Sequence, residues 1–248
     1  SFSGSGRPLF GRWTRLAAPS LFFLLTIYYE ELFLKLFCFH TIPLSGAFFT
    51  LLFTLPIAFF LGLLCGGVRL SAGRILLPVC TAIISIWVGS QAIYYRMFKT
   101  FLTIFSLTKM MMVAQSFGGM TASAIALNWF SIVMLALPVV LAILLRNRLL
   151  PDHTSTTGRK RRWSAYTVAI QLAALGIILL SGNGALSLRY IYTQAAAPEL
   201  ETQYFGILTQ THLEVRRVLF GIKPDEDALP SSGDTTPSRS PTWSASLY

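Results

Sequence analysis

The sequence predicts an all-α membrane protein with five transmembrane helices, an interfacial amphipathic helix between the third and fourth, and a disordered C-terminal tail. Three observations carry this. Of 248 residues, 54% are hydrophobic and only 12% are charged, about half the charged share of a soluble domain. Apolar runs long enough to cross a hydrocarbon core of about 30 Å, at about 1.5 Å of rise per residue, recur along the chain. The basic residues gather between these runs and mostly outside them.

The spans are read at about 16–39, 47–68, 75–95, 122–145 and 163–186, forming a transmembrane domain over 1–186. The first follows a basic leader (Arg7, Arg12, Arg15). It is longer than the apolar region of a cleavable signal peptide and reads as an anchor. It also carries Glu30, Glu31 and Lys35 in its distal half. An uncharged turn over 40–46 reverses the chain into the second span, where Gly62 and Gly66 form a GxxxG spacing that lets helices approach closely. The third span carries Thr81, Ser85 and Gly89 at intervals of four, a small-residue face suited to helix packing. Pro56 and Pro78 inside spans two and three are tolerated where neighbouring groups satisfy the freed carbonyls.

Residues 98–118 are too polar to cross a bilayer and too apolar for a solvated loop. Lys99, Thr100, Thr103, Ser106 and Lys109 fall on one side of a helix, with Phe101, Ile104, Phe105 and Met112 opposite. That pattern predicts a helix lying in the interface plane. The fourth span holds Asn128 early and Pro138 late, and leads into the densest basic loop, Arg146 to Arg162. After the fifth, residues 187–223 read as an extracellular amphipathic connector with one helical candidate over 199–219. Residues 224–248, rich in Pro, Ser and Thr, read as a disordered linker.

Charge sets the orientation. With five crossings and a cytoplasmic N-terminus, the basic leader and the loops after spans two and four lie inside. A sixth crossing through 99–118 moves the loop at 146–162 outside and buries two lysines in lipid. The expected location is therefore the plasma membrane, with the C-terminus extracellular. The formal net charge of +10 fits cytoplasmic flanks and anionic lipid; without an aromatic-basic surface motif it does not point to nucleic acid.

Motifs for catalysis are missing. Cys38, Cys65 and Cys80 have no CxxC spacing, His40, His153 and His212 are scattered, and no phosphate loop or nucleophile–base pair occurs. We expect no catalytic residue, metal site or cofactor in this chain. What remains is a cluster at the outer leaflet: Glu30, Glu31, Tyr95, Arg96 and Lys99, with Asn128 entering from the same side. Two readings stay open. Glu31 and Lys35, four apart with the acid first, suit an intrahelical ion pair, and Arg96 can neutralise Glu30. Alternatively the cluster receives a lipid head group, with Arg96 or Lys99 on its phosphate. Tyr94, Tyr95, Trp129 and Trp163 fit an interfacial aromatic belt.

Three stretches, Ile27–Phe33 (IYYEELF), Ser90–Phe98 (SQAIYYRMF) and Tyr204–Gly221 (YFGILT followed by LEVRRVLFG), resemble the N-terminal membrane domain of the lipoteichoic acid synthase family, the sulfatase-like phosphoglycerol transferases. The resemblance runs to about residue 223. It implies five N-terminal helices, an interfacial elbow after the third, and a linker to an extracellular catalytic domain. That domain uses a threonine nucleophile and a divalent metal to move glycerol phosphate from phosphatidylglycerol. The sequence ends before such a domain begins, so those residues map to no position here. The implied role is an anchor and platform for the missing catalytic domain, with membrane lipids, including phosphatidylglycerol, as partners. The alternatives are a small lipid or solute transporter or scramblase and a purely structural membrane scaffold. A transporter needs polar residues through the depth of several spans; the inner halves have few, Gln171 being the main exception.

Overall fold

The structure, a computed structural model, describes residues 14–103, 126–150, 157–180, 191–192 and 198–220. Among these the chain is all-α: α1 (Thr14–Phe39), α2 (Leu44–Gly67), α3 (Leu70–Phe98), α4 (Trp129–Leu149), α5 (Thr157–Leu179), α6 (Pro198–Phe205) and α7 (Ile207–Phe220). The helices α2, α3, α4 and the Arg161–Leu179 part of α5 are long and apolar enough to cross a membrane, so this is a multi-pass membrane protein. At 26 residues α1 has the length, but its distal half carries Glu30, Glu31 and Lys35.

The helices do not stop where hydropathy does. Helix α5 starts within the basic loop and ends at Leu179, and α4 runs on through Arg146 and Arg148. Arginine is a good helix former, so hydropathy marks the lipid-facing part of a helix and not its ends. The expected interfacial helix lies for the most part outside the described residues. What is described of it is a stop: Lys99, with φ of 57°, donates its backbone N–H to the Tyr95 carbonyl at 2.8 Å and closes α3. The chain then turns inward, burying Phe101 and Leu102. Gln91 holds this turn with both amide atoms: its Nε2 donates to the Leu102 carbonyl (3.0 Å) and its Oε1 accepts the Leu102 N–H (2.9 Å).

Hydrocarbon gives apolar side chains no reason to prefer one another over lipid, so association in a bilayer rests on close packing and polar contacts. Both are visible at the first helix pair. A Cβ on Gly62 of α2 would lie 2.7 Å from the backbone N and Cα of Ser20 in α1; only hydrogen fits there. The Gly62 part of the GxxxG is thus a true contact point. Ser20 Oγ accepts from Trp163 Nε1 of α5 at 3.2 Å, and the Trp163 ring lies 5.1 Å from that of Phe59. This tryptophan joins three helices rather than only marking an interface.

The bundle is polarised. The C-terminal ends of α1 and α3 and the N-terminal ends of α2 and α4 share one end, shown by Lys35 with Gly46 and Arg96 with Asn128. The basic residues Arg69, Arg74, Arg146, Arg148, Arg161 and Arg162 lie at the other. The helical pair α6–α7 closes the first end. Phe205 packs edge-on to Phe53 and Tyr192, with Leu213, Ala174 and Ile178 in the same cluster. Ile207 joins Leu34, Val88 and Leu135 in another.

Candidate functional site

The connector expected as one helix over 199–219 is two helices. Gly206, with φ of +92°, separates them, a backbone conformation that side chains other than glycine rarely adopt. The break puts the C-terminal carbonyls of α6 next to the N-terminal amides of α7. Local help is slight: Gly206 donates its N–H to the Thr202 carbonyl of α6 at 3.0 Å, and the residues before α7, Tyr204, Phe205 and Gly206, include no capping side chain.

The caps come from α1. Glu31, buried, accepts the backbone N–H of Ile207 on Oε2 (2.8 Å) and of Leu208 on Oε1 (2.9 Å). Lys35, one turn further on, donates to the Gln203 carbonyl of α6 (3.0 Å), the Gly46 carbonyl of α2 (3.1 Å) and Thr50 Oγ1. An acid therefore faces the positive end of one helix dipole, and a base the negative end of the other. The hydrogen-bonded Glu31–Lys35 pair expected from their spacing gives way to these contacts, although the two charges still attract each other along α1. Gly206 also leaves room for the acid, since a Cβ there would lie 2.7 Å from Glu31 Oε2. A further contact, Trp87 Nε1 to Thr211 Oγ1 at 3.1 Å, ties α7 to α3.

Glu30 and Arg96 do not meet either. Glu30 is fully buried and accepts from Ser85 Oγ of α3 at 2.5 Å. Arg96 is exposed, donates to Asn128 Oδ1 at 2.8 Å and lies 5.4 Å from the centre of the Phe37 ring. Lys99 is exposed, while Tyr95 stacks on Phe101 with centroids 4.7 Å apart and meets Phe39 edge-on. The five candidates thus divide by geometry. Glu30 and Glu31 face the protein interior, Tyr95 packs the turn after α3, and Arg96 and Lys99 present cations at the surface of the same end.

On the hairpin itself, Glu201 of α6 is buried and pairs with Arg217 of α7 at 2.5 Å. Burial pushes its carboxyl up to about 7 against the opposing pull of Arg217. Among the described residues no group of His, Cys, Asp and Glu could hold a metal ion. The cysteines are free thiols.

Sequence reasoning missed the interhelical partners of Glu31 and Lys35, and it missed Gln91. The available signal was Gly206 in an otherwise helical pattern, together with two ionisable residues one turn apart in a span. The comparisons with curated proteins and with solved structures returned no match. The Lipoteichoic acid synthase N-terminal domain, in contrast, matches residues 11–209, which takes in α1 to α6, Gly206 and the Glu31-bound start of α7. With most of its length and every Glu31 and Lys35 contact inside that match, the chain belongs to the lipoteichoic acid synthase N-terminal domain family.

Proposed function

We propose that this chain is the anchor and platform of a phosphoglycerol transferase, holding a catalytic domain that follows α7 at the outer leaflet. The observation that carries this is the clamp. The segment after the last span is not a free tether, because Glu31 and Lys35 fix both helices of the hairpin to the bundle. Whatever follows Phe220 then starts from a defined height and direction. In this reading α1 is a fifth span. The end bearing six arginines is cytoplasmic by the positive-inside rule, and the hairpin end is extracellular. Arg96, Lys99 and Tyr95 receive the phosphate of a substrate lipid, phosphatidylglycerol, at the surface of that end. Glu30 and Glu31 serve the bundle instead, on Ser85 and on the start of α7.

The test uses the full-length protein in lipid vesicles. Glu31→Ala is expected to lower glycerol phosphate transfer from phosphatidylglycerol at least fivefold, while turnover of a soluble phosphodiester by the catalytic domain stays within twofold. Equal transfer by wild type and variant, with hydrogen exchange showing the hairpin released, removes the platform reading. Arg96→Ala tests the head-group contact: an unchanged KM for phosphatidylglycerol excludes it.

A further inference from the structure

Between α3 and α4 runs a groove of about 480 Å³, within the range of small-molecule sites. Its walls include Ser85, Ile86 and Gly89 of α3 and Leu135, Ala136 and Val140 of α4. It exists because the facing positions are small: Gly89 has no side chain, and a Cβ there would touch only Leu135 Cδ1, at 3.5 Å. Along α3 it spans residues 82–93, ~16 Å at the helical rise, close to the thickness of one leaflet of a core of about 30 Å. Its surface is apolar even at its serines. Ser85 donates inward to Glu30, and Ser90 donates to the Trp87 carbonyl at 2.7 Å. Neither hydroxyl proton is offered to an occupant, which suits a hydrocarbon chain and not a polar solute.

The outer mouth is charged. Arg96 lies about one helical turn beyond Ile93, the last α3 residue of the groove, and Lys99 about one turn further. Both are exposed. The Arg96–Asn128 bond joins α3 to α4 just above the groove. We propose that this groove seats one acyl chain of an anionic glycerophospholipid of the outer leaflet, whose phosphate lies against Arg96 and Lys99. The polar half of this inference rests on the head-group reading above; the acyl half stands on the groove. A second copy of the chain packed here about a two-fold axis parallel to α3 brings like cations together, so charge favours the lipid. Another groove, between α2 and α5 and lined by Pro56, Phe60 and Gln171, has exposed Arg161 and Arg162 further along α5, at the opposite end of the bundle from Arg96.

The experiment places the protein in nanodiscs with a photoactivatable phospholipid bearing a diazirine midway along one acyl chain. One probe carries a phosphoglycerol head group and the other phosphocholine. The expected adducts fall on 86–93 and 132–140, at least fivefold more with the anionic probe. Ala136→Phe, at an exposed wall position that leaves packing intact, lowers them at least fivefold; Ile86→Trp serves as a second filler, and amide exchange in α3 and α4 confirms the fold. Arg96→Gln with Lys99→Gln brings the anionic probe to the level of the choline probe. Equal labelling by both probes, indifferent to the cations, overturns both this site and the head-group reading. Labelling that follows the cations but ignores both fillers overturns the groove and leaves the head-group reading standing. A dimer in native mass spectra that excludes the probe from the groove overturns the site in favour of a second copy.

Discussion

Replacing Glu31 with alanine asks how strongly the membrane bundle holds the hairpin. The carboxylate lies in a buried site and accepts two backbone amides at the start of α7, at 2.8 and 2.9 Å. A Cβ methyl reaches neither. Each buried amide left unsatisfied costs about 1–3 kcal/mol, and the charge opposite a helix N-terminus adds about 0.3–2 kcal/mol. The hairpin should therefore open about 2–8 kcal/mol more easily. Because about 1.4 kcal/mol is a factor of ten in an equilibrium, amide exchange at 207–213 should accelerate at least roughly 30-fold. Exchange in the middle of α2 and α4 should not change. Glu31→Gln keeps one acceptor oxygen but turns an NH₂ toward the second amide, so its effect should fall between wild type and alanine. The assay is hydrogen–deuterium exchange with mass spectrometry in nanodiscs. Protection at 207–213 within threefold of wild type in Glu31→Ala would falsify the clamp.

Three further outcomes follow from the same geometry. Gly206→Ala should release the hairpin as Glu31→Ala does, since it strains φ at +92° and crowds Glu31; an exchange pattern like wild type contradicts this. Gly62→Val should separate α1 from α2 and lower the thermal midpoint in detergent by several degrees, through Ser20. A midpoint unchanged within a degree shows that the close approach is dispensable. Glu201 gives a pH dependence. Its folded carboxyl is pushed up to about 7 from 4.5 by burial, with Glu199 and Glu214 adding and Arg217 opposing. A raised carboxyl pKa means the unfolded state loses its proton first. The stabilising contribution is therefore full below about pH 4.5 and is lost as pH rises through about 7. The hairpin should exchange faster at pH 8 than at pH 5.5, after correction for intrinsic rates, and Glu201→Gln should remove the difference.

The sequence revealed the parts of this protein that depend on composition along one chain. Hydropathy located the four long apolar helices α2 to α5 because lipid imposes it residue by residue, and the basic loops marked one end of the bundle because lipid excludes charge. Gly62 was visible as a small residue at a helical interval. The partner of each polar group was not visible. Glu31 and Lys35 at i and i+4 satisfy a local rule that is worth only a few tenths of a kcal/mol on an exposed helix, ~0.2–0.5. Free helix ends buried without acceptors or donors cost more than that, and those ends come from residues more than 160 positions away, as Lys35 to Gln203 shows. Arg96 likewise met Asn128, 32 residues on, and not Glu30. Long-range capping has no periodicity, so no window along the chain contains it.

The choice between pair and caps can be forced by reversing the charges, Glu31→Lys with Lys35→Glu. An intrahelical ion pair survives this exchange; only its orientation relative to the α1 dipole becomes less favourable, at a cost of a few tenths of a kcal/mol, ~0.2–0.5. The structure demands the opposite. The reversed chain points an ammonium at the Ile207 and Leu208 amides, and a carboxylate at the Gln203 and Gly46 carbonyls. Donor then faces donor and acceptor faces acceptor at these four backbone contacts, and each charge sits at the wrong helix end. The swap should thus free α6 and α7 at least as fully as Glu31→Ala, with exchange at 198–213 approaching that of an undocked peptide. Docking preserved in the swapped protein sinks the clamp and leaves the local ion pair as the reason both residues lie in α1. Docking lost in the swap but kept in the alanine variant shows that charge repulsion, and not the loss of two caps, is what the hairpin feels.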